Sequence, residues 1–250
     1  MSELQHPDAR SFDRVAELYE RTRPEYPVAA IEWMVEQLGI DGRSTVLDLA
    51  AGTGKLTRAL VPLAGRVIAV EPGPAMLAEL VRAVPEAEAI LGAAEAIPLA
   101  DDAVDAVACG QSFHWFRADE ALPEIRRVLR GGGGLGLIWN LRHPDDEFQQ
   151  EVSVFLEPFV PSGRTPVPTS VAGLIDETAF GDVTSKAFSF EHELDADAVV
   201  ARIASISFVA AADRKRQADL ERSLRALVDA RGGRVGFRYI TEAYVTFSVG

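Results

Sequence analysis

The chain has 250 residues, and its 38 acidic against 25 basic side chains give a formal net charge of −13 at pH 7. Nucleic acids and anionic membrane surfaces both require clustered positive charge on the protein, so this balance argues against both partners. With 48% hydrophobic residues, a chain of this length can bury the core of one large α/β domain.

Cysteine usage and the first residues indicate the cellular compartment. The single cysteine, Cys109, has no partner for an internal disulfide, as is usual in a reducing compartment. Residues 1–10 are polar and lack the apolar run of a secretory signal. The chain also has no run that approaches the ~20 apolar residues of a membrane span. We therefore expect a cytoplasmic protein.

Hydrophobic periodicity predicts alternating strands and helices along much of the chain. Helices are predicted at 11–20 and 28–38, separated by a proline-containing break at 23–27. Strands are predicted at 45–49, 67–70, 87–91, 104–109 and 135–139, with helices at 56–63, 75–83 and 120–129. A helix and a loop are predicted over 144–168, strands at 183–190 and 238–249, and helices at 196–207 and 213–230. The alternation over 45–139 predicts a parallel sheet covered by helices on both faces.

The most informative segment follows the first predicted strand. Asp48–Gly54 reads DLAAGTG, and its small residues allow a ligand to lie against backbone N–H groups at the start of a helix. Glu71 ends the next strand, 17 residues after Gly54. A carboxylate at that position is placed to accept both hydroxyls of a ribose. The two features together predict a site for an adenosine-containing cofactor.

The details of this loop distinguish between cofactors. A P-loop requires Ser or Thr directly after Gly-Lys, whereas Gly54-Lys55 is followed by Leu56, so we exclude a nucleoside triphosphatase. A dinucleotide fingerprint requires a third glycine where this chain has Thr57. Asp48 instead suits a ligand with a positive end, such as the ammonium and sulfonium groups of S-adenosylmethionine.

Five segments in order resemble the motifs of the class I S-adenosylmethionine-dependent methyltransferases. They are Asp48–Gly54, Glu71-Pro72, 92–99 (GAAEAIPL), 104–116 (VDAVACGQSFHWF) and 127–133 (RVLRGGG). The resemblance covers about residues 19–140 and is closest to the small-molecule branch related to trans-aconitate and ubiquinone-biosynthesis methyltransferases. It implies a doubly wound, mostly parallel seven-stranded sheet of Rossmann-like type, with N-terminal helices and a helical cap.

The resemblance also implies a division of the chain into regions. Residues 1–40 would form a helical segment over the cofactor, and 41–145 the cofactor-binding α/β core. Residues 146–236 would supply a late strand and the helical cap or substrate region, and 237–250 a final edge strand that completes the sheet.

The same motifs suggest the residues of the site. Cofactor-binding residues are expected to be Asp48, Ala50, Gly52, Gly54, Glu71, Pro72, Met76, Ala94, Glu95 and Gln111. Tyr19, Arg23, Trp115 and Asn140 are expected to contact the acceptor, and His114 is the candidate general base. Four arginines are equal candidates for holding an acidic acceptor: Arg23, Arg142, Arg164 and Arg238. His143 and the segment 191–193 show no metal-ligand spacing, so no metal is predicted.

Two positions depart from the family pattern. Ala50 replaces the first glycine of the loop, which is costly if that position requires a positive φ. Ala93 stands where relatives often carry an acid, which leaves contacts to adenine to backbone groups or to Glu95.

These residues lead us to expect an enzyme that transfers a methyl group from S-adenosylmethionine to a small organic acceptor, favouring oxygen or carboxylate, and releases S-adenosylhomocysteine. No nucleic acid or membrane partner is expected, and the protein would be a monomer or homodimer. Two alternatives remain: a regulatory protein that binds the cofactor without catalysis, and a dehydrogenase that uses a nicotinamide cofactor.

Overall fold

The computed structural model describes residues 23–161 and 180–249. The predicted helix over 11–20, Tyr19 and Arg164 lie outside these ranges. Within them the strands are β1 Thr45–Leu49, β2 Arg66–Glu71, β3 Glu88–Leu91, β4 Val104–Gly110, β5 Leu129–Arg142, β6 Thr184–Asp195 and β7 Arg234–Phe247. The α-helices are α1 Val28–Gln37, α2 Lys55–Leu60, α3 Pro74–Ala83, α4 Ala118–Val128, α5 Glu147–Leu156, α6 Ala196–Ala204, α7 Ser207–Ala210 and α8 Arg214–Asp229. Short 3-10 turns occupy Phe113–Trp115 and Glu157–Phe159.

The seven strands form one sheet in the order β3-β2-β1-β4-β5-β7-β6. The first five in this order run parallel, and β7 runs antiparallel to both β5 and β6. The predicted fold class, a mostly parallel seven-stranded sheet with helices on both faces, is confirmed.

Alternating side chains of the central strands enter two different cores. Val46 packs with Met34 of α1 and Leu60 of α2 on one face of the sheet. Leu47 packs with Ile125 of α4 on the other face. Successive residues of a strand point to opposite faces, so the continuous apolar run of β1 indicates a strand covered on both sides.

The position of the last strand differs from the sequence expectation. We expected an edge strand over 237–250, but β7 lies inside the sheet, and β6 forms the edge beyond it. The physical reason is that β7 forms long antiparallel pairings along both of its sides. On one side it pairs with Gly134–Arg142 of β5, and on the other with all twelve residues of β6. The alternating pattern of a strand shows which faces it presents but not which strands are its neighbours.

The helices of the C-terminal half form a separate apolar cluster against the ends of β6 and β7. Val152 of α5, Ile203 of α6 and Leu224 of α8 pack there with Phe237 and Tyr239 of β7. This small layer places α6 beside the carboxyl end of the parallel strands. Among the described helices, none combines the length and apolar character that crossing a membrane would require.

Candidate active site

A cavity of about 440 Å³ opens at the carboxyl ends of the parallel strands. The order of the sheet changes direction between β1 and β4, and ligands of such sheets bind in the crevice at this switch point. Twelve of the predicted site residues line the cavity: Arg23, Asp48, Ala50, Gly52, Glu71, Pro72, Met76, Ala94, Glu95, Gln111, Trp115 and Asn140.

The loop between β1 and α2 uses three left-handed backbone positions. Ala50, Gly52 and Gly54 have φ values of 56°, 59° and 90°. Gly54 does not line the cavity. It precedes the first residue of α2, and a Cβ there would lie 3.1 Å from Leu80 Cγ. Gly54 therefore allows the turn and the close packing of α2 on α3, while Gly52 presents its backbone to the cavity.

Ala50 is expected to limit the stability of the loop. A left-handed conformation costs an alanine about 1–2 kcal/mol, and glycine would remove this strain. Glycine also gives the unfolded chain more conformational freedom, which offsets only part of the stability gained. Ala50→Gly is therefore expected to raise the free energy of unfolding by about 0.5–1 kcal/mol, measured by urea denaturation. Ala51→Gly is the matched control, because Ala51 is outside the positive-φ set and should only lose stability. Equal shifts in the two variants would show that Ala50 is not strained.

Glu71 connects the end of β2 to the glycine loop. Its Oε2 accepts a hydrogen bond from the Gly52 N–H at 2.8 Å, and its Oε1 accepts one from the Gly73 N–H at 2.8 Å. The side chain is 7% exposed and lines the cavity. Each carboxylate oxygen has a second lone-pair site, so Glu71 can hold the loop and still accept the hydroxyls of a ligand.

Asp48 is the most unusual ionisable group of the site. Its side chain is fully buried and lines the cavity. Oδ2 accepts a hydrogen bond from Thr57 Oγ1 at 2.6 Å, and Oδ1 has no hydrogen-bond partner among the described residues. Burial raises the pKa of Asp48 to about 7, the bond from Thr57 opposes this, and the charge of Glu71 adds to it. A cation in the cavity would stabilise the charged carboxylate of Asp48 against both its burial and its repulsion by Glu71.

The end of β3 contributes the neighbouring wall. Ala94 is buried, and the Glu95 Oε1 accepts a hydrogen bond from the Arg117 N–H at 3.0 Å, just before α4. Met76 of α3 is buried, with 4% of its surface exposed, and reaches the same cavity. These residues give the wall apolar surface and one carboxylate held in place.

The opposite wall comes from the ends of β4 and β5. Gln111 has a φ of 60°, and its N–H donates to the Ile138 carbonyl at 2.9 Å. Asn140 is held from two directions, because its Oδ1 accepts from Thr241 Oγ1 at 2.6 Å and its Nδ2 donates to the Glu25 carbonyl at 3.2 Å. Strained and fixed polar residues of this kind are frequent at functional sites.

His114 does not line the cavity. It lies in the turn Phe113–Trp115, where its Nδ1 accepts a hydrogen bond from the Trp139 indole N–H at 3.4 Å and its ring lies 4.8 Å from that of Trp115. The role of His114 as a general base therefore stays a prediction.

The C-terminal half contributes two polar residues to the cavity wall that were not among the sequence candidates. Arg202 of α6 and Tyr239 of β7 both line the cavity, although they lie far along the chain from the motifs. The available signal was weak: Arg202 lies three residues after Val199 and beside Ile203, on the apolar face of its helix. An arginine is seldom buried unless an oppositely charged or polar group pairs with it.

The other arginines have different environments. Arg23 lines the cavity, whereas Arg238 is exposed, and its backbone N–H donates to Asp146. Arg142 is partly buried and donates to Ser153 Oγ at 3.1 Å. Across 23–161 and 180–249, no group of three or more His, Cys, Asp or Glu side chains is arranged to hold a metal ion.

The family comparison agrees with this geometry. A model described as "Methyltransferase domain" matches residues 47–137, which include the last three residues of β1, the glycine loop and Glu71. An uncharacterized methyltransferase-like protein of Schizosaccharomyces pombe is 37% identical over 203 residues, which are 81% of this chain and 79% of that protein. The chain belongs to the class I S-adenosylmethionine-dependent methyltransferases.

Two further proteins show how far the similarity extends. An uncharacterized methyltransferase of Mycobacterium tuberculosis is 50% identical over 132 residues, and the match spans only 53% of either chain. The solved structure of a putative type II methyltransferase from Anaeromyxobacter dehalogenans has a TM-score of 0.68 at 23% identity, covering 89% of this chain and 97% of that one. This structural likeness supports the fold.

Proposed function

We propose that the cavity binds S-adenosylmethionine and that the protein transfers its methyl group to an oxygen of a small organic acceptor, with S-adenosylhomocysteine as the second product. The observation that carries this proposal is the buried Asp48, whose Oδ1 has no hydrogen-bond partner within the described residues, in a cavity shared with Glu71. A ligand with an ammonium group and a ribose supplies a partner for each carboxylate.

In this proposal different residues bind different parts of the cofactor. Asp48 attracts the positive amino-acid end, and Glu71 accepts hydrogen bonds from the ribose hydroxyls while it holds the Gly52 amide. The apolar surface of Met76 and Ala94 and the carboxylate of Glu95 surround the adenine. Gln111 also contacts the cofactor, whereas Trp115, Asn140 and Arg23 form the wall on which the acceptor lies.

The bound cofactor supplies an activated methyl group, so the protein's main task is alignment. The acceptor oxygen donates a lone pair to the methyl carbon, while the electron pair of the carbon–sulfur bond moves to sulfur. Holding these atoms in line and excluding water is worth about 7–11 kcal/mol when the geometry is good. A carboxylate acceptor releases no proton in this step, whereas a hydroxyl acceptor needs a base.

Titration calorimetry of the full chain with S-adenosylhomocysteine tests the cofactor assignment, with NADH titrated in parallel. We expect micromolar binding of S-adenosylhomocysteine and none of NADH. Transfer of a labelled methyl group across a panel of carboxylic acids, alcohols and amines then tests the reaction. Binding of NADH alone would overturn the cofactor assignment. Tight S-adenosylhomocysteine binding with transfer only to amines would overturn the oxygen acceptor.

A further inference from the structure

The wall that α6 and β7 contribute to the cavity carries buried donors without acceptors. Arg202 is 7% exposed, and its Nε and Nη1 have no hydrogen-bond partner among the described residues. Tyr239 is 2% exposed, and its Oη is equally without a partner there. A buried, unpaired guanidinium is costly in free energy. Both side chains line the cavity, so a ligand in it can reach them.

The positions of these donors are fixed by the fold. Tyr239 pairs in register with Phe190 of β6, and the two rings stack with centroids 5.1 Å apart. Arg202 belongs to α6, whose Val199 and Ile203 are buried in the C-terminal cluster. The donors are therefore held by packing before any ligand arrives, which lowers the entropic cost of binding.

The surrounding charge is positive, in contrast to the chain as a whole. Arg142 lies opposite Tyr239 in the β5–β7 register, and burial followed by the charge of Arg202 lowers the pKa of Arg142. Tyr239 and Asp146 act on the pKa of Arg142 in the opposite direction, and the two oxygens of Asp146 already accept bonds from the Gln149 N–H, Gln149 Nε2 and the Arg238 N–H. These contacts leave an anion-binding wall in a protein of net charge −13.

We infer that the methyl acceptor is a small carboxylic acid and that Arg202, with the Tyr239 hydroxyl, binds its carboxylate. This inference rests on the proposed function, because it names the acceptor of the same cavity. A planar guanidinium matches the two oxygens of a carboxylate, and Tyr239 adds one more donor. A phosphate would bring a third oxygen and more charge than these donors satisfy, so the geometry favours a carboxylate.

The first test uses the smallest carboxylate, which fits any site of this chemistry. Formate is titrated into the wild-type protein, and the Arg202 Nε–H resonance is followed by NMR, assigned by its loss in Arg202→Gln. We expect a saturable shift with formate but none with formamide or with chloride at equal ionic strength. The absence of a shift would overturn the inference, and so would saturation by inorganic phosphate at lower concentration than by formate. The titration needs no cofactor, so it stands even if S-adenosylhomocysteine does not bind.

The second test uses the acceptor screen. Carboxylic acids are expected to be methylated in preference to their amides. Arg202→Gln should raise KM for the accepted acid by about thirtyfold, the value expected for loss of a hydrogen bond to a charged group. Its affinity for S-adenosylhomocysteine should stay within a factor of two of wild type. Arg225→Gln is the matched control, because Arg225 is an exposed arginine paired with Asp197 and Glu221. Preferred amide acceptors, or equal KM values in the two variants, would overturn the inference.

Discussion

Glu71→Ala is expected to lower the affinity for S-adenosylhomocysteine by about a hundredfold, which is within the range expected for loss of one hydrogen bond to a charged group. The carboxylate is buried at the end of β2, and backbone N–H groups fix both of its oxygens. Its orientation is therefore set before the ligand binds. Calorimetry on the wild type and the variant measures the effect directly.

The same substitution also releases the Gly52 amide, so binding of the ribose must be separated from support of the loop. An analogue of S-adenosylhomocysteine that lacks the 2′- and 3′-hydroxyls makes this separation. The wild type should bind the analogue about a hundredfold more weakly than S-adenosylhomocysteine, whereas Glu71→Ala should bind the two ligands equally. If Glu71→Ala weakens both ligands by the same factor, Glu71 acts only through the loop. Glu71→Gln is the matched variant, since one amide oxygen can still accept from a backbone N–H.

The β1–β2 side of the cavity could be predicted because its sequence signals are local. Asp48, Gly52 and Glu71 all lie within one βαβ unit, where strand ends and the turn between them fix the relative positions of side chains that are close in sequence. The sequence left open whether position 50 requires a positive φ, and the structure gives Ala50 a φ of 56°. Strand β1 was predicted with the bounds that the structure has, because its apolar run is short and ends in small residues.

The side of the cavity that α6 and β7 form could not be predicted in the same way. Arg202 reaches the cavity only because α6 packs on β7, and that contact joins segments far from the motifs in sequence. His114 lies next to the expected chemistry in sequence, but it is not among the residues that line the cavity, and its Nδ1 accepts the bond from Trp139. The order of neighbouring strands in the sheet could not be predicted from the sequence either, so the last strand was wrongly expected at the edge. Tertiary packing decides each of these positions.

The two walls of the cavity carry charges of opposite sign. The β1–β2 wall presents the carboxylates of Asp48 and Glu71, and the α6–β7 wall presents Arg202. A cationic ligand is attracted to the first wall and an anionic one to the second, so two reactants of opposite charge are directed to opposite sides of one cavity. Under the proposed function, Arg202 supplies a local positive charge for an acid in a chain whose net charge is −13.

Protonation of Asp48 is expected to control cofactor affinity near neutral pH. Burial raises its pKa to about 7 in the free protein, and an ammonium group in the cavity favours the charged carboxylate. Binding of S-adenosylhomocysteine therefore requires loss of a proton below pH 7. The dissociation constant is expected to rise about fivefold from pH 7 to pH 6 and to approach a tenfold rise per pH unit below that. Calorimetry across this range, in buffers of different ionisation enthalpy, measures both the affinity and the proton released.

The stability of the free protein should depend on pH in the opposite direction. The pKa of Asp48 is higher in the folded chain than its ordinary value of 3.8, so the folded state binds more protons, and this contribution to stability is lost as pH rises from about 4 to 7. Asp48→Asn removes the titrating group while keeping its size. The variant should show weak binding that does not change between pH 5.5 and 7.5, and a gain in free-protein stability over wild type that grows with pH. A pH-dependent affinity that persists unchanged in Asp48→Asn would assign the titration to another group and remove Asp48 from the cation site.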